Sequence, residues 1–503
     1  MKSLRRRIMS KIRKKKTSQR TDTQSDSSGA REEQRVQMDL NTVVQDLPVL
    51  LDVPRSGSSE GGTIKEQCNI HMMKFWNKSI PKPPEDLEKK LQEHLNEVKK
   101  VVAHHLRRLK PWMQPHGLMG YLEDCCHRRM IQHLQSLIRR VSSSRSCFKL
   151  LHWARHSYLR IEEFSNHDYQ KINGWDEWES TAKDILIQTE QEEQQVRLKK
   201  ILEAHKRQKT CDNEESYILL DVDVIKFTFD TFEKVKAIDH DLSDRVLRVC
   251  SRELLVFVKG YNECQRVFLK KKPATVHFLK TLRTCRGIRK NIQDRHMEEI
   301  VELLTEMETF TKELLTKVVT DDVEKNIKRY FRSDNKRIFP FDPLEKHFPQ
   351  LDFAAEERRA VMGDIYKGIA HVYFKHLIGT SMRKLRKKWW TDTNIGKTVQ
   401  ADAVELHIII SRWAEDVPQY NNLLLKIREV LACSDMEAMK QTMAFIEKEC
   451  DEQSEDLQLL PDLLLWADYS PLDVKRVLEV LQSPPSILQM PSWFVQYYLC
   501  CCC

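Results

Sequence analysis

Helix-breaking residues are scarce over a long part of this chain, and that scarcity limits the fold more than any other feature. Pro115 is followed by no proline until Pro273, and from residue 121 onward only Gly174 and Gly260 interrupt that span. Across 503 residues there are 17 prolines and 13 glycines, about half the usual combined share of roughly 12%. A sheet protein of this length needs many tight turns, and tight turns draw on these two residues. So long a run without them predicts helices in series.

Apolar periodicity agrees. In the segment after Pro81, Pro83 and Pro84, Leu87, Leu91, Leu95, Val98, Val102 and Leu106 recur every three or four residues, and Pro111 is expected to end the pattern. A second long stripe runs through Met297, Ile300, Leu304, Met307, Leu314, Val318, Val323 and Ile327. The stretch YILLDVDVIKFTFDTF at 217–232 alternates closely enough to be a strand. Val222, Ile225, Phe229, Phe232 and Val235 also fit helical spacing, and no partner strand is visible elsewhere, so a helix is expected. Proline-rich joints near 340–349, 418, 461, 471 and 484–485 divide the rest, and no fixed-period repeat aligns. The expected organisation is an arm and linker over 1–64, then helical bundles over 65–210, 211–335 and 336–503.

Charge is distributed unevenly. The first twenty residues, MKSLRRRIMSKIRKKKTSQR, hold ten cations: Lys2, Arg5, Arg6, Arg7, Lys11, Arg13, Lys14, Lys15, Lys16 and Arg20. Removing those ten from the formal charge of +9 leaves the other 483 residues at −1. A neutral body with a basic arm suggests a local electrostatic anchor and not a nucleic-acid face. Each such cation contributes roughly 1 kcal/mol at an anionic leaflet. Met1, Leu4, Ile8 and Ile12 add a thin apolar stripe. A nuclear import signal within KIRKKK, and a solvated arm, remain the other readings of the same residues. Ser3, Ser10, Thr17 and Ser18 lie among the charges, where phosphate would cancel them. Residues 21–64, rich in Ser, Thr, Gln, Asp and Gly, read as a disordered linker.

Catalytic motifs are missing. TNIGKT at 393–398 ends like a phosphate-binding loop, but Thr391 occupies the position where such a loop needs glycine, and no strand precedes it. Cys125, Cys126, His127, His133, His104 and His105 carry metal-ligand atoms without metal-site spacing and read as ordinary helix-face residues. No enzyme, cofactor or metal is expected. No apolar window reaches the roughly 18 residues of a spanning helix, and no signal-peptide core follows the basic start. A cytosolic location is therefore expected, with the fourteen cysteines mostly reduced.

Two clusters invite binding roles. Arg383, Lys384, Arg386, Lys387 and Lys388 precede Trp389 and Trp390, either to meet an acidic partner or headgroup layer or to sit solvated while the tryptophans pack inward. Cys500, Cys501, Cys502 and Cys503, after Trp493, Phe494, Tyr497 and Tyr498, are candidates for S-acylation, against an unmodified frayed terminus. An acyl chain plus a polybasic patch is a two-signal membrane anchor.

Four segments, in order, resemble the exocyst complex component 3 / M-Sec (Sec) family. LLHWARHSY at 150–158 is similar to its Leu-Leu-x-Trp-x-x-x-x-Tyr segment, and CSRELLVFVKGYNE at 250–263 to its Glu-Leu-x-x-Phe helix. VQADAVELHIIISRW at 399–413 resembles its Asp-Ala-x-x-Leu helix, and LLPDLLLWADYSPLDVKRVLEVL at 459–481 its terminal turn, with the proline displaced to Pro471. The resemblance spans roughly 65–483. It implies an all-α, elongated rod of stacked antiparallel bundles of the CATCHR-like tethering type, without a catalytic centre. It also implies phosphoinositide membrane binding by the basic N-terminus, and partners among exocyst subunits, SNAREs or Ral-type GTPases. Roles in exocyst localisation, exocytosis or membrane protrusion follow, at the cytoplasmic side of the plasma membrane, with no nucleic acid. The alternative is a nuclear or RNA-associated factor that uses the same arm.

Overall fold

The structure is a computed structural model and describes residues 61–115, 117–164, 172–207, 215–332, 339–348, 354–389, 394–449, 455–479 and 481. Among these residues the chain is all-α: seventeen α-helices, one π turn, one 3-10 turn and no strand. The residues fall into two compact units, Met1–Glu193 with Thr231–Val249, and Gln194–Asp230 with Cys250–Cys503.

The first unit is built on α1 (Gly61–Ser79), α2 (Leu87–Met113), α3 (Met119–Ile138) and α4 (Ser144–Trp153), whose last turn widens into a π turn at Ala154–Tyr158. It also takes parts of α5 (Trp175–Arg207), α6 (Glu215–Lys236) and α7 (His240–Lys271). All six residues of the α2 stripe, Leu87 to Leu106, are buried, and Leu109 and Met113 extend it. The helix runs past Pro111, where the sequence suggested it would stop. Proline here forfeits the bond to the carbonyl of Arg107 and crowds it, and the helix ends within three residues. The end is closed by Gln114 N–H donating to Lys110 O and Leu118 N–H to Met113 O, with Gly117 at φ +67 making the turn.

Polar contacts fix how these helices meet. The Glu88 carboxylate, in the first turn of α2, accepts hydrogen bonds from the backbone N–H and hydroxyl of both Ser142 and Ser143 and from the Ser146 hydroxyl. It thereby meets the N–H groups just ahead of α4, where Ser143 is the N-cap, while the Ser144 N–H inside the helix donates to Glu193 and the Ser146 N–H to Ser143 Oγ. Burial pushes the Glu88 carboxyl up, but the bonds from Ser146, Ser142 and Ser143 outweigh it and hold it below its ordinary value. Elsewhere in the unit Arg155 pairs with Glu179 at 2.7 Å and Asp239 at 3.1 Å, and Lys183 pairs with the same two carboxylates. These four groups tie the π turn to α5 and to the start of α7.

Histidine is unusually prominent in this core. His94, His105, His127 and His133 are all buried. His94 and His133 share a hydrogen bond between their Nε2 atoms at 3.0 Å, which requires one ring to donate and the other to accept. His127 Nδ1 lies 2.7 Å from the Tyr158 hydroxyl, the last residue of the π turn, and Tyr158 stacks on Trp153. His105 packs edge-on against Phe75 and Trp76, and its buried Nδ1 has no hydrogen-bond partner among the described residues. Desolvation pulls His105 and His127 down to about 4 and His133 to about 3.

The second unit begins with the remainder of α5, α6 and α7, followed by α8 (Thr275–Ile292), α9 (Glu298–Arg332), α10 (Asp342–His347) and α11 (Ala355–Ile378). It continues through α12 (Met382–Lys388), α13 (Ile395–Ser411), α14 (Asn422–Ala432), α15 (Met436–Glu449), α16 (Leu460–Trp466) and α17 (Pro471–Leu478). The 217–232 segment is helical, as expected. Its buried line nonetheless runs through Val224, Thr228, Phe229, Phe232 and Val235, and Val222 faces solvent. On α9 the core line is Ile300, Leu304, Met307, Thr311, Leu315, Val319, Val323 and Ile327, so Leu315 and Val319 replace the expected Leu314 and Val318. Thr311 can sit in that line because its hydroxyl donates to Met307 O at 2.6 Å.

TNIGKT has a packing role. Asn394 Oδ1 accepts from Gly396 N–H at 3.1 Å and caps α13. A Cβ on Gly396 would lie 2.7 Å from the Cα of Arg428 on α14, so α13 and α14 approach through the missing side chain.

Two tests follow from this packing. Gly396→Ala is expected to destabilise the protein by about 1–3 kcal/mol through overpacking against backbone, whereas Gly120→Ala, with open space around its Cβ, is neutral or stabilising by up to about 1 kcal/mol. Chemical denaturation of the two variants checks the contrast. Acid is expected to weaken the first unit: the buried His94, His105, His127 and His133 have folded pKa values below the unfolded value, so the unfolded chain takes protons first and stability falls as pH drops from about 6.5 toward 4. Thermal melts across that range should show the slope, and His105→Leu should flatten it.

Candidate partner-binding site

The basic cluster lies on α12, a helix of two turns between α11 and α13. Leu385 is fully buried and Trp389, four residues on, is 9% exposed. That i, i+4 pair anchors the helix and leaves Arg383, Lys384, Arg386 and Lys387 exposed. Trp389 joins Tyr330 and Phe331 of α9 at ring-centroid distances of 6.1 and 6.2 Å. It therefore packs inward, away from any headgroup layer. None of the four exposed cations forms an ion pair among the described residues, so their charge is open to solvent or to a ligand.

The fifth cation behaves differently. Lys388 is half-buried, with Nζ 4.5 Å from the centroid of the Tyr330 ring. Beside that ring is the half-buried carboxylate of Asp402 on α13, which accepts hydrogen bonds from Tyr330 at 2.8 Å and from Tyr373 of α11 at 2.5 Å. Burial pushes Asp402 up to about 6, against the two tyrosine bonds and the favourable charge of Lys388. The same burial and the neighbouring carboxylate push Tyr330 and Tyr373 above their ordinary values, so both hydroxyls remain donors. Four helices meet here: α9 through Tyr330, α11 through Tyr373, α12 through Lys388 and α13 through Asp402.

Beside α12 is an open cavity of about 670 Å³, with Arg386, Trp389, Ile395, Cys433, Tyr469 and Asp473 among its lining residues. The turn between α16 and α17 forms part of its wall. There Asp468 has a left-handed φ of 69, and Ser470 caps α17 by accepting from Asp473 N–H. Trp466 Nε1 donates to Thr380 O at 2.8 Å and so ties α16 to the residues just before α12.

The remaining sequence candidates distribute as follows. Lys2, Arg5, Arg6, Arg7, Lys11, Arg13, Lys14, Lys15 and Lys16 lie outside the described residues, as do Cys500, Cys501, Cys502, Cys503 and Trp390. Cys125 Sγ donates to Asn69 Oδ1 at 2.9 Å and Cys126 lies against the Tyr158 hydroxyl, so both thiols belong to the core. Among the described residues no group of three or more His, Cys, Asp or Glu is placed to hold a metal ion, and no helix is long and apolar enough to cross a membrane. Sequence reading missed Asp402 as the centre of the α12 support. It stands within the VQADAVELHIIISRW segment, and an acid between apolar positions of a helix was the available signal.

Neither a protein-family model nor a curated protein sequence matches the chain. Among solved structures, the crystal structure of M-Sec is similar, with a TM-score of 0.61 and 12% sequence identity over 90% of this chain and 84% of that one. At that identity the likeness is one of fold.

The Asp402 network gives a sharp expectation. The folded pKa of Asp402 lies above its unfolded value, so its contribution to stability falls as pH rises from about 4 through 6. Asp402→Asn keeps an acceptor for both tyrosines and should remove that dependence at little cost. Asp402→Ala leaves two buried tyrosine hydroxyls without their acceptor and Lys388 without its nearby negative charge, and should destabilise by about 2–4 kcal/mol. Melts of both variants at pH 4, 5, 6 and 7 test this.

Proposed function

We propose that this protein is a non-catalytic helical scaffold of the exocyst-related tethering type, held to anionic, phosphoinositide-rich membrane by residues 1–20 and engaging an acidic protein partner through α12. The observation that carries the reading is the M-Sec-like fold over 90% of the chain. It accords with the order of sequence segments that resemble the exocyst complex component 3 / M-Sec family. On this reading the arm supplies ten cations, enough for peripheral attachment. The four exposed cations of α12 form a second, separate electropositive surface on a rigidly seated helix. A Ral-type GTPase, a SNARE or an exocyst subunit with an acidic face is the class of partner that such a surface fits. The four terminal cysteines are candidate acylation sites that would make attachment to membrane more durable.

Co-sedimentation of full-length protein with vesicles containing phosphatidylinositol bisphosphate, at 150 mM salt, tests the membrane half. Neutralising Arg5, Arg6, Arg7, Lys14, Lys15 and Lys16 should reduce binding at least tenfold, and reversing Arg383, Lys384, Arg386 and Lys387 to Glu should leave it within about twofold. The second variant should instead lose capture of the GTP-loaded Ral-type GTPase. Vesicle binding that ignores the arm, or accumulation of the arm in the nucleus as an isolated fusion, would sink the membrane reading.

A further inference from the structure

The link between α3 and α4 reads Arg139-Arg140-Val141-Ser142-Ser143-Ser144. Arginines at the third and second positions before a serine are the charge pattern that basophilic Ser/Thr kinases select through acidic pockets. Here the pattern falls on a site with suitable access: Arg139, Arg140 and Ser142 are exposed, and the residues between Ile138 and Ser144 are not helical. The neighbouring serines are poorer acceptors. Ser144 and Ser146 are each 3% exposed, and Ser143 serves as the N-cap of α4.

The hydroxyl of Ser142 is also a working part of the fold. It donates to Glu88 Oε1 at 3.1 Å, beside the bonds that the Ser142 and Ser143 N–H groups make to the same oxygen. Arg140 reinforces the junction by donating to Pro84 O at 2.8 Å, just ahead of α2. The first turn of α2 is thus fastened to the first turn of α4 by a single carboxylate, and Ser142 is the exposed edge of that fastening.

We propose that Ser142 is a phosphorylation site for a basophilic Ser/Thr kinase, and that its phosphate ejects Glu88 from the N-terminus of α4. The transfer moves the γ-phosphoryl of ATP to Ser142 Oγ. An Oγ–P bond forms, the bond from γ-phosphorus to the β,γ-bridging oxygen breaks, ADP leaves, and the hydroxyl proton passes to the base of the kinase. The product carries about −1.5 to −2 charge at neutral pH where a neutral donor stood. The hydroxyl donor is gone, and a dianion and a carboxylate cannot share the position that one carboxylate held. Phosphate oxygens can take over the N–H groups of the α4 N-terminus, which favour anions, while Arg139, Arg140 and Arg145 stand close in sequence to pair with them. Glu88 is then left without its five donors, and the hold between α2 and α4 is released.

The full-length protein is incubated with the catalytic subunit of cAMP-dependent protein kinase and magnesium ATP, mapped by peptide mass spectrometry, and followed by amide hydrogen exchange. Phosphate is expected on Ser142, and an Arg139→Ala/Arg140→Ala variant should lose at least tenfold of the initial rate. Phosphorylated protein should exchange at least tenfold faster at the first hydrogen-bonded amides of α2, from Lys90 onward. In a Glu88→Ala background, which removes the acceptor for all five donors, the start of α2 should already exchange fast, with phosphate adding less than a twofold change. Three results would overturn the proposal: incorporation confined to Ser143 or to other sites, incorporation at Ser142 that does not depend on the two arginines, or phosphate on Ser142 with unchanged exchange at α2.

Discussion

Four helices of the second unit converge on one half-buried carboxylate, that of Asp402. Asp402 is the acceptor on which two tyrosine hydroxyls from two different helices converge, and the cation that balances it comes from a third. An isolated carboxylate in that position would be prohibitive, and its neutral form would still need partners. The arrangement is tolerable only when Tyr330, Tyr373 and Lys388 are all in place, so it specifies the mutual register of α9, α11, α12 and α13 as well as stabilising it. A slide of any of the four by a turn would leave the carboxylate or a tyrosine hydroxyl without its partner.

That constraint explains why the five cations of α12 do not form one surface. They occupy six positions of a helix whose inward face is fixed by Leu385 and Trp389, which places Lys388 on the flank nearest Tyr330. Composition makes the five equivalent, and only the register separates the one that supports the fold from the four that face out. The first unit uses the same device with the sign of its environment changed. Glu88 satisfies donors at a helix start instead of accepting from buried tyrosines, so it remains charged easily, and its surroundings stay partly open. One carboxylate locks a core; the other latches an edge.

Helical class and most of the core were legible in the chain because a 3.6-residue period leaves a repeated mark. The α2 stripe is buried at every expected position. The marks blur where two apolar residues stand side by side. In Leu314-Leu315 and Val318-Val319 the period is equally well served by either member, and the structure selects the second, keeping an unbroken four-residue step through Thr311. Thr311 itself hides the line from a reader of hydropathy, since its hydroxyl is satisfied within the helix. On α6, Val222 belongs to the apolar pattern yet is exposed, while Thr228 is buried and donates to Val224 O. Long-range polar partners such as Glu88 with Ser146, or Asp402 with Tyr330, leave no periodic trace, because nothing in the order of residues records which distant donor a carboxylate will meet.

The same reasoning separates fold from function. A structure can agree with M-Sec over 90% of the chain at 12% identity because helix packing asks for apolar residues of suitable size at periodic positions and accepts many sequences that provide them. Positions that face solvent are under no such demand. The fold accounts for Leu385, Trp389, Lys388 and Asp402, each of which has a structural partner. It does not account for Arg383, Lys384, Arg386 and Lys387, which have no ion-pair partner among the described residues, or for ten cations gathered within the first twenty residues. Four like charges on one short helix repel each other and add nothing to its packing. A site is better sought in residues that the fold does not need. That criterion is why the proposed function is assigned to the cations of α12 and of residues 1–20 and not to the packed residues around them.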